Sequence, residues 1–316
     1  MLRCFLDILS HVVSTSATSE IVTEPTKELN IPSSAQAPAK VEARKSILSD
    51  VVQSAIAKIP QQDIQKYLHE AVGKSFDILL MGSPRVGKST LINAILKKDV
   101  AKVSSGRNAC TLEDDYYEYQ ETYTTVIKNN QTIESTCSIR IWDAPGIEDW
   151  TKFNINQYVQ SLLNKTNPIC LIYCVSPGSY AEILHLQALI EECKALKLFI
   201  ALVVTNMYAS DDADNILELF RTVLSSYGPQ TKVIDHVYYY GHIGLCTQVN
   251  SIEFTFEDTT MEPTGVDELM IGIMQSLSDK KMLQWCFALM NNGPFWVRAQ
   301  ATIWKWVSSF KSVFGY

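Results

Sequence analysis

No run of about eighteen apolar residues occurs in this 316-residue chain, so the sequence offers no obvious membrane-spanning helix. Paired cysteines are also missing. The eight cysteines stand at 4, 110, 137, 170, 174, 193, 246 and 286, and none form a C-x-x-C pair. Cys170 and Cys174 lie four apart in a predicted strand, where small core fillers is the better account. Excess positive charge is absent too. A net charge of −7 argues against a general nucleic-acid binder, and no nucleic acid is expected as a partner. The opening residues 1–13 make a poor secretory signal, because the apolar run is short and carries Asp7; a short amphipathic helix fits them better. No internal repeats appear. With 47% apolar and 19% charged residues, what remains is an ordinary globular balance, long enough for one sizeable core plus extensions.

One further absence is local. After Asp279 the last 37 residues contain no Asp or Glu, but five Lys or Arg: Lys280, Lys281, Arg298, Lys305 and Lys311. Four of the six tryptophans are here, at 285, 296, 304 and 306. Past Gly293-Pro294, the set Trp296, Ala299, Ile303, Trp306, Val307, Phe310 and Val313 follows helical spacing. A basic, aromatic, amphipathic helix over 294–316 suits an anionic membrane surface. It equally suits docking on protein, either the rest of this chain or a second subunit.

The chemistry lies elsewhere. Gly82-Ser83-Pro84-Arg85-Val86-Gly87-Lys88-Ser89 fits G-x-x-x-x-G-K-[ST] without mismatch. Phe76–Met81 reads as a buried strand before it, and Thr90–Leu96 as a helix after it. The glycines let consecutive backbone N–H groups turn toward one centre. The helix N-terminus adds partial positive charge. Lys88 can reach terminal phosphates, and the Ser89 hydroxyl can ligate Mg²⁺. A second motif follows one strand later. Ser138–Trp142 alternates as a strand and ends at Asp143-Ala144-Pro145-Gly146, a D-x-x-G. Asp143 can hold Mg²⁺, usually through water, and the Gly146 N–H can sense a terminal phosphate. A nucleotide site fits a reducing compartment with free thiols, hence a cytoplasmic protein, peripheral on a membrane if the C-terminal helix binds one.

The remaining pattern alternates. Strands are expected at 111–127, 132–142, 168–175, 198–204 and near 233–249, and helices at 181–195, 213–226 and 266–278. Asn129-Asn130 turns 111–127 into 132–142, placing one antiparallel edge hairpin on an otherwise parallel sheet. The expected fold is α/β, a doubly wound, mostly parallel sheet with flanking N- and C-terminal helices. The expected organisation is an amphipathic start and flexible linker over 1–40, a helical lead-in over 41–73, the nucleotide-binding domain over 74–280 and the basic aromatic segment over 281–316.

On these motifs, and on the string Trp142-Asp143-Ala144-Pro145-Gly146-Ile147, residues 74–280 resemble the P-loop GTPases, most closely the immunity-related, AIG1-like and dynamin-like G domains. The resemblance implies a Ras-like G domain that binds GTP and GDP with Mg²⁺. It implies phosphate-loop contacts from Gly82 through Thr90. It implies a switch threonine, for which Thr111 is the candidate as a third Mg²⁺ ligand beside Ser89 and Asp143. Lys88, Thr111 and Gly146 would then carry catalysis. Guanine is ordinarily read by N-K-x-D. Here Asn206 stands in place, but Met207 replaces the Lys and Ala209 the Asp; Asp211 or Asp212 could substitute. Asn250-Ser251 resembles the last base-side loop. Ile147 stands where many GTPases place the glutamine that orients water. That departure implies slow hydrolysis, assisted by a partner or by a homodimer across the nucleotide face. Arg85 and Arg107 stand where an arginine could approach phosphates; each also fits a solvated surface charge. An ATP-preferring or base-indifferent enzyme and a non-hydrolysing scaffold remain as alternatives.

Overall fold

The computed structural model describes residues 75–100, 115–126, 132–143, 155–179 and 183–289, with a few positions between 292 and 302. The predicted lead-in over 41–73, Thr111, Arg107, Gly146 and Ile147 lie outside the described residues, as do 1–40 and 303–316. Two compact units are distinguished. One comprises Met1–His69, Tyr123–Glu134 and Ala299–Tyr316, of which mainly strand ends are described. The other, Glu70–Thr122 with Ser135–Arg298, holds the phosphate loop.

Ten strands and six helices are described. In chain order they are β1 (Ser75–Gly82), α1 (Lys88–Leu96), β2 (Asp115–Val126), β3 (Thr132–Asp143), α2 (Ile155–Lys165), β4 (Pro168–Val175), α3 (Ile183–Ala195) and β5 (Phe199–Val204). Then come α4 (Asp212–Ser225), β6 (Lys232–Ile234), β7 (Val237–Tyr240), β8 (Gly244–Gln248), β9 (Phe254–Phe256), β10 (Thr259–Met261), α5 (Val266–Ser276) and α6 (Asp279–Ala288). Eight strands form one sheet in the order β2-β3-β1-β4-β5-β8-β7-β6.

The five central strands are parallel. β1, β4 and β5 are near-continuous apolar runs, as strands covered on both faces require. Phe76, Ile78, Leu79, Cys170, Ile172, Ile200 and Leu202 are all fully buried. The chain passes from β1 outward to β3 and then returns to β4 on the other side of β1. Strand order therefore reverses at β1, and the phosphate loop leaves β1 at that switch point. In open α/β sheets this is the place for a ligand.

The doubly wound, mostly parallel sheet was legible in the sequence, but its far edge differs. The single strand expected near 233–249 is a meander of three. β7 is antiparallel to β8, and β6 to β7. Asp235 and His236 between them both hold positive φ, 49° and 61°, the conformation of a two-residue turn that matches strand twist. A separate hairpin, β9–β10, was not anticipated. Neither was α2, although Ile155, Tyr158, Val159 and Leu162 carry helical spacing; Val159 and Leu162 are buried.

At the start of the basic aromatic segment the aromatic side chains are buried. α6 buries Met282, Leu283, Trp285, Cys286 and Phe287, and Phe295 and Trp296 are also buried. The Trp285 indole donates to the Met270 carbonyl at 3.1 Å, and that of Trp296 to Leu289 at 2.9 Å. Trp296, the first residue of the proposed membrane-facing stripe, is thus committed to the protein core. Trp306 of that stripe, and Trp304 near it in sequence, lie outside the described residues. Among the described residues no helix is long and apolar enough to cross a membrane.

Candidate nucleotide site

Two glycines shape the loop for different reasons. Gly82 ends β1 with φ +139°, and a Cβ there would stand 2.1 Å from the Cys174 carbonyl oxygen of β4. The neighbouring strand leaves no room for a side chain. Gly87 caps α1 in the left-handed region at φ +84°, where a side chain is strained. Between them Ser83 and Pro84 are half-buried, Arg85 is exposed with φ 62°, and Val86 is buried. Ser89 and Thr90 are half-buried in the first turn of α1.

Lys88 is 8% exposed despite its charge. Its ammonium donates to the carbonyls of Gly82 and Ser83, both at 3.2 Å. The amine is therefore folded over the loop it belongs to, where a bound phosphate would meet it. Asp143 is the last residue of β3 and pairs in register with Leu80, two residues before Gly82. Its backbone thus ends beside the loop. The loop's shape, Lys88 and the position of Asp143 fit a nucleoside triphosphate with Mg²⁺.

Beneath the loop lies a polar network of which motif reading singled out Asn206 alone. Thr205, at the end of β5, is 1% exposed. Its hydroxyl is within reach of the Val86 carbonyl in the loop and of the Val175 carbonyl of β4, the latter at 3.1 Å. Asn206, with φ 50°, donates from Nδ2 to the Ser176 hydroxyl at 3.2 Å. Its side chain also lies where a Cβ on Gly87 would be 3.5 Å away. Ser179 receives the Ser176 N–H at 3.0 Å, closing the turn after β4. The signal that could have found Thr205 and Ser176 is simple. Each is a small polar residue immediately after a wholly apolar strand, at the same end of the sheet as the loop.

The base-side residues are also brought together. The Met207 N–H donates to the Val249 carbonyl at 3.2 Å, and the Val249 N–H to Val204 at 2.8 Å. Asn250, 2% exposed, forms a bridge with Thr264 and donates from its side chain to the Ile252 carbonyl. Ser251 follows, half-buried. The loops carrying Asn206 and Asn250 thus lie side by side. The acidic candidates sit further on. Asp211 is exposed just before α4, and Asp212 accepts from Asn215 within α4 at 3.4 Å.

Comparisons with known proteins agree with this geometry. Residues 77–206 match the family model described as 50S ribosome-binding GTPase. That stretch runs from β1 through the phosphate loop to Asn206. This region is a P-loop GTPase domain. A stretch of 105 residues is 30% identical to the tRNA modification GTPase MnmE of Neorickettsia sennetsu. It covers 30% of this chain and 18% of that protein, so the chain spans only a minor part of the relative's length. Among solved structures, one of chloroplast translocon components atToc33 and psToc159, whose dimerization is described as important for GTPase activity, aligns at 13% identity and TM-score 0.36. It covers 73% of this chain and 88% of that one. A septin GTPase domain from Chlamydomonas reinhardtii aligns at 14% identity and TM-score 0.33, covering 73% and 98%.

Proposed function

We propose that the chain is a Mg²⁺-dependent GTPase with slow intrinsic turnover that works as a switch or assembly GTPase. One observation carries this reading: a buried lysine ammonium held over a two-glycine loop at the sheet's switch point. In the reaction, water attacks the γ-phosphorus and the bond to the β–γ bridging oxygen breaks. GDP, inorganic phosphate and a proton leave. The loop amides and Lys88 hold the transferring group, and the α1 N-terminus faces its charge. Ser89, Asp143 and Thr111 would hold Mg²⁺, which would supply positive charge against the negative charge of the phosphates. Gly146 would report the γ-phosphate. Purified protein should bind GTP and release phosphate, and Lys88→Ala should abolish both while the fold persists. Unchanged GTP affinity in folded Lys88→Ala would contradict the assignment.

Ile147 favours a second reading of the rate. No side chain at that position can hydrogen-bond the attacking water, so hydrolysis should be slow in the isolated chain. A second copy across the nucleotide face could supply the missing polar group. Phosphate release per molecule should then rise with protein concentration over the range in which a dimer forms. A flat specific activity across that range would favour a scaffold that binds GTP without efficient hydrolysis.

A further inference from the structure

The base side of the site departs from a guanine reader in its fold as well as in its letters. Selective guanine recognition needs a carboxylate that accepts from N1–H and the 2-amino group at once. The position three along from Asn206 is Ala209, exposed, in a turn closed by its own N–H donating to the Asn206 carbonyl at 2.9 Å. Met207, where a lysine is expected, is half-buried and packs against the apolar core. Two of the nearby acids are engaged elsewhere. Asp212 accepts from Asn215, and Asp214 accepts from Gln248 at 2.8 Å. Asp211 opens α4 from the solvent side, five residues past Asn206.

What the loop presents instead is an aromatic ring. Tyr208 is half-buried, and its hydroxyl donates to Thr264 Oγ1 at 3.4 Å. Thr264 pairs with Asn250 through two backbone bonds of 2.8 and 2.9 Å. The ring is thereby tethered to the loop on the opposite flank of the base region. Every nucleobase has a π-face, so a tethered ring binds bases without reading their edges.

We infer that this site holds the purine by stacking on Tyr208 and accepts purine nucleoside triphosphates broadly. GTP would be one substrate of several, with inosine, xanthosine and adenosine triphosphates close behind. This inference rests on the phosphate-site assignment and concerns only its base side. The test is a set of equilibrium titrations of the full chain in Mg²⁺ with GTP, ITP, XTP and ATP. The four dissociation constants should fall within about tenfold of one another, because among the described residues no buried carboxylate is placed to discriminate among them. Tyr208→Ala should weaken all four by about tenfold, the scale of a lost stacking contact, and Tyr208→Phe should restore them. A melting profile on each variant establishes that it is folded. GTP bound more than about a hundredfold tighter than XTP and ATP would overturn the inference, as such a gap needs a polar reader. Loss of that gap in Asp211→Asn would name the reader. Tyr208→Ala binding as the parent does would also overturn it. Failure of the underlying assignment looks different: none of the four nucleotides binds, or Lys88→Ala binds them all unchanged.

Discussion

Asp77 shows how much of the domain's stability rests on one residue remote from the chemistry. It lies on β1, fully buried, and accepts four hydrogen bonds. Arg140 Nε and Nη2 donate at 2.8 and 2.9 Å, the Trp142 indole at 2.6 Å, and the Asn167 N–H at 2.6 Å. The carboxylate thereby joins β1 to β3 and to the turn before β4. Charge-assisted bonds to every donor offset the cost of burying the anion. Asp77→Ala leaves a guanidinium, an indole and an amide unmet together. It should destabilise the fold by about 3–5 kcal/mol, read as a lower urea midpoint. A loss below about 1 kcal/mol would contradict this account. The hydroxyl of Thr205 is a residue of the other kind, close to the site. Thr205→Val keeps the shape and strips the loop of its bond to the strand ends. It should cost about 1–2 kcal/mol of stability and weaken GTP binding, whereas Thr205→Ser should retain both. Equal GTP affinity in Thr205→Val and the parent would show that the loop does not depend on it.

Elements were legible in proportion to how self-contained their signals are. The phosphate loop could be found from eight residues because its glycines answer to local geometry, and Lys88 and Asn206 were recognisable by type. β1, β4 and β5 stood out because strands covered on both faces are uninterrupted apolar runs. The meander at the sheet edge did not. Its turn is Asp235-His236 rather than a glycine pair, so the sequence carries no clear punctuation between β6 and β7. The burial of α6 was hard to read for a different reason. Acid-free composition draws attention to Lys280 and Lys281, while the residues that decide its place are the buried Trp285, Cys286 and Phe287. The wiring of the site was out of reach as well, because Thr205 acquires its role only when β5 is set beside the loop. The segment after α6 is anchored by Asn292, fully buried, whose Nδ2 donates to the Ile95 carbonyl at 2.8 Å and whose Oδ1 receives the Phe295 N–H at 3.1 Å. Ile95 is in the last turn of α1, where carbonyls lack partners within the helix. Asn292→Ala should therefore lower stability by about 1–3 kcal/mol, measured in urea. No change in midpoint would mean that this anchor is dispensable.

At the scale of the molecule, the core is rich in thiols that must stay neutral. Burial pushes Cys137, Cys170, Cys193 and Cys286 up to about 12 from an ordinary 9.0, and Tyr239 up to about 12 from 10.0. Below about pH 9 these groups are protonated in both folded and unfolded chains, and their burial contributes in full. Between about 9 and 12 the unfolded chain ionises while the folded chain does not, so stability falls through that window. The urea midpoint should be level from pH 7 to 8.5 and then drop steadily. A midpoint unchanged up to pH 11 would contradict the burial of these groups.

The account's central claim is that this molecule is built around a triphosphate held by the loop from Gly82 to Ser89. Its most direct test is a titration of the purified chain with GTP and Mg²⁺, run beside Lys88→Ala under the same conditions. The account predicts saturable binding by the parent that weakens when Mg²⁺ is removed, and no measurable binding by the folded variant. Binding by Lys88→Ala as tight as the parent's would contradict it.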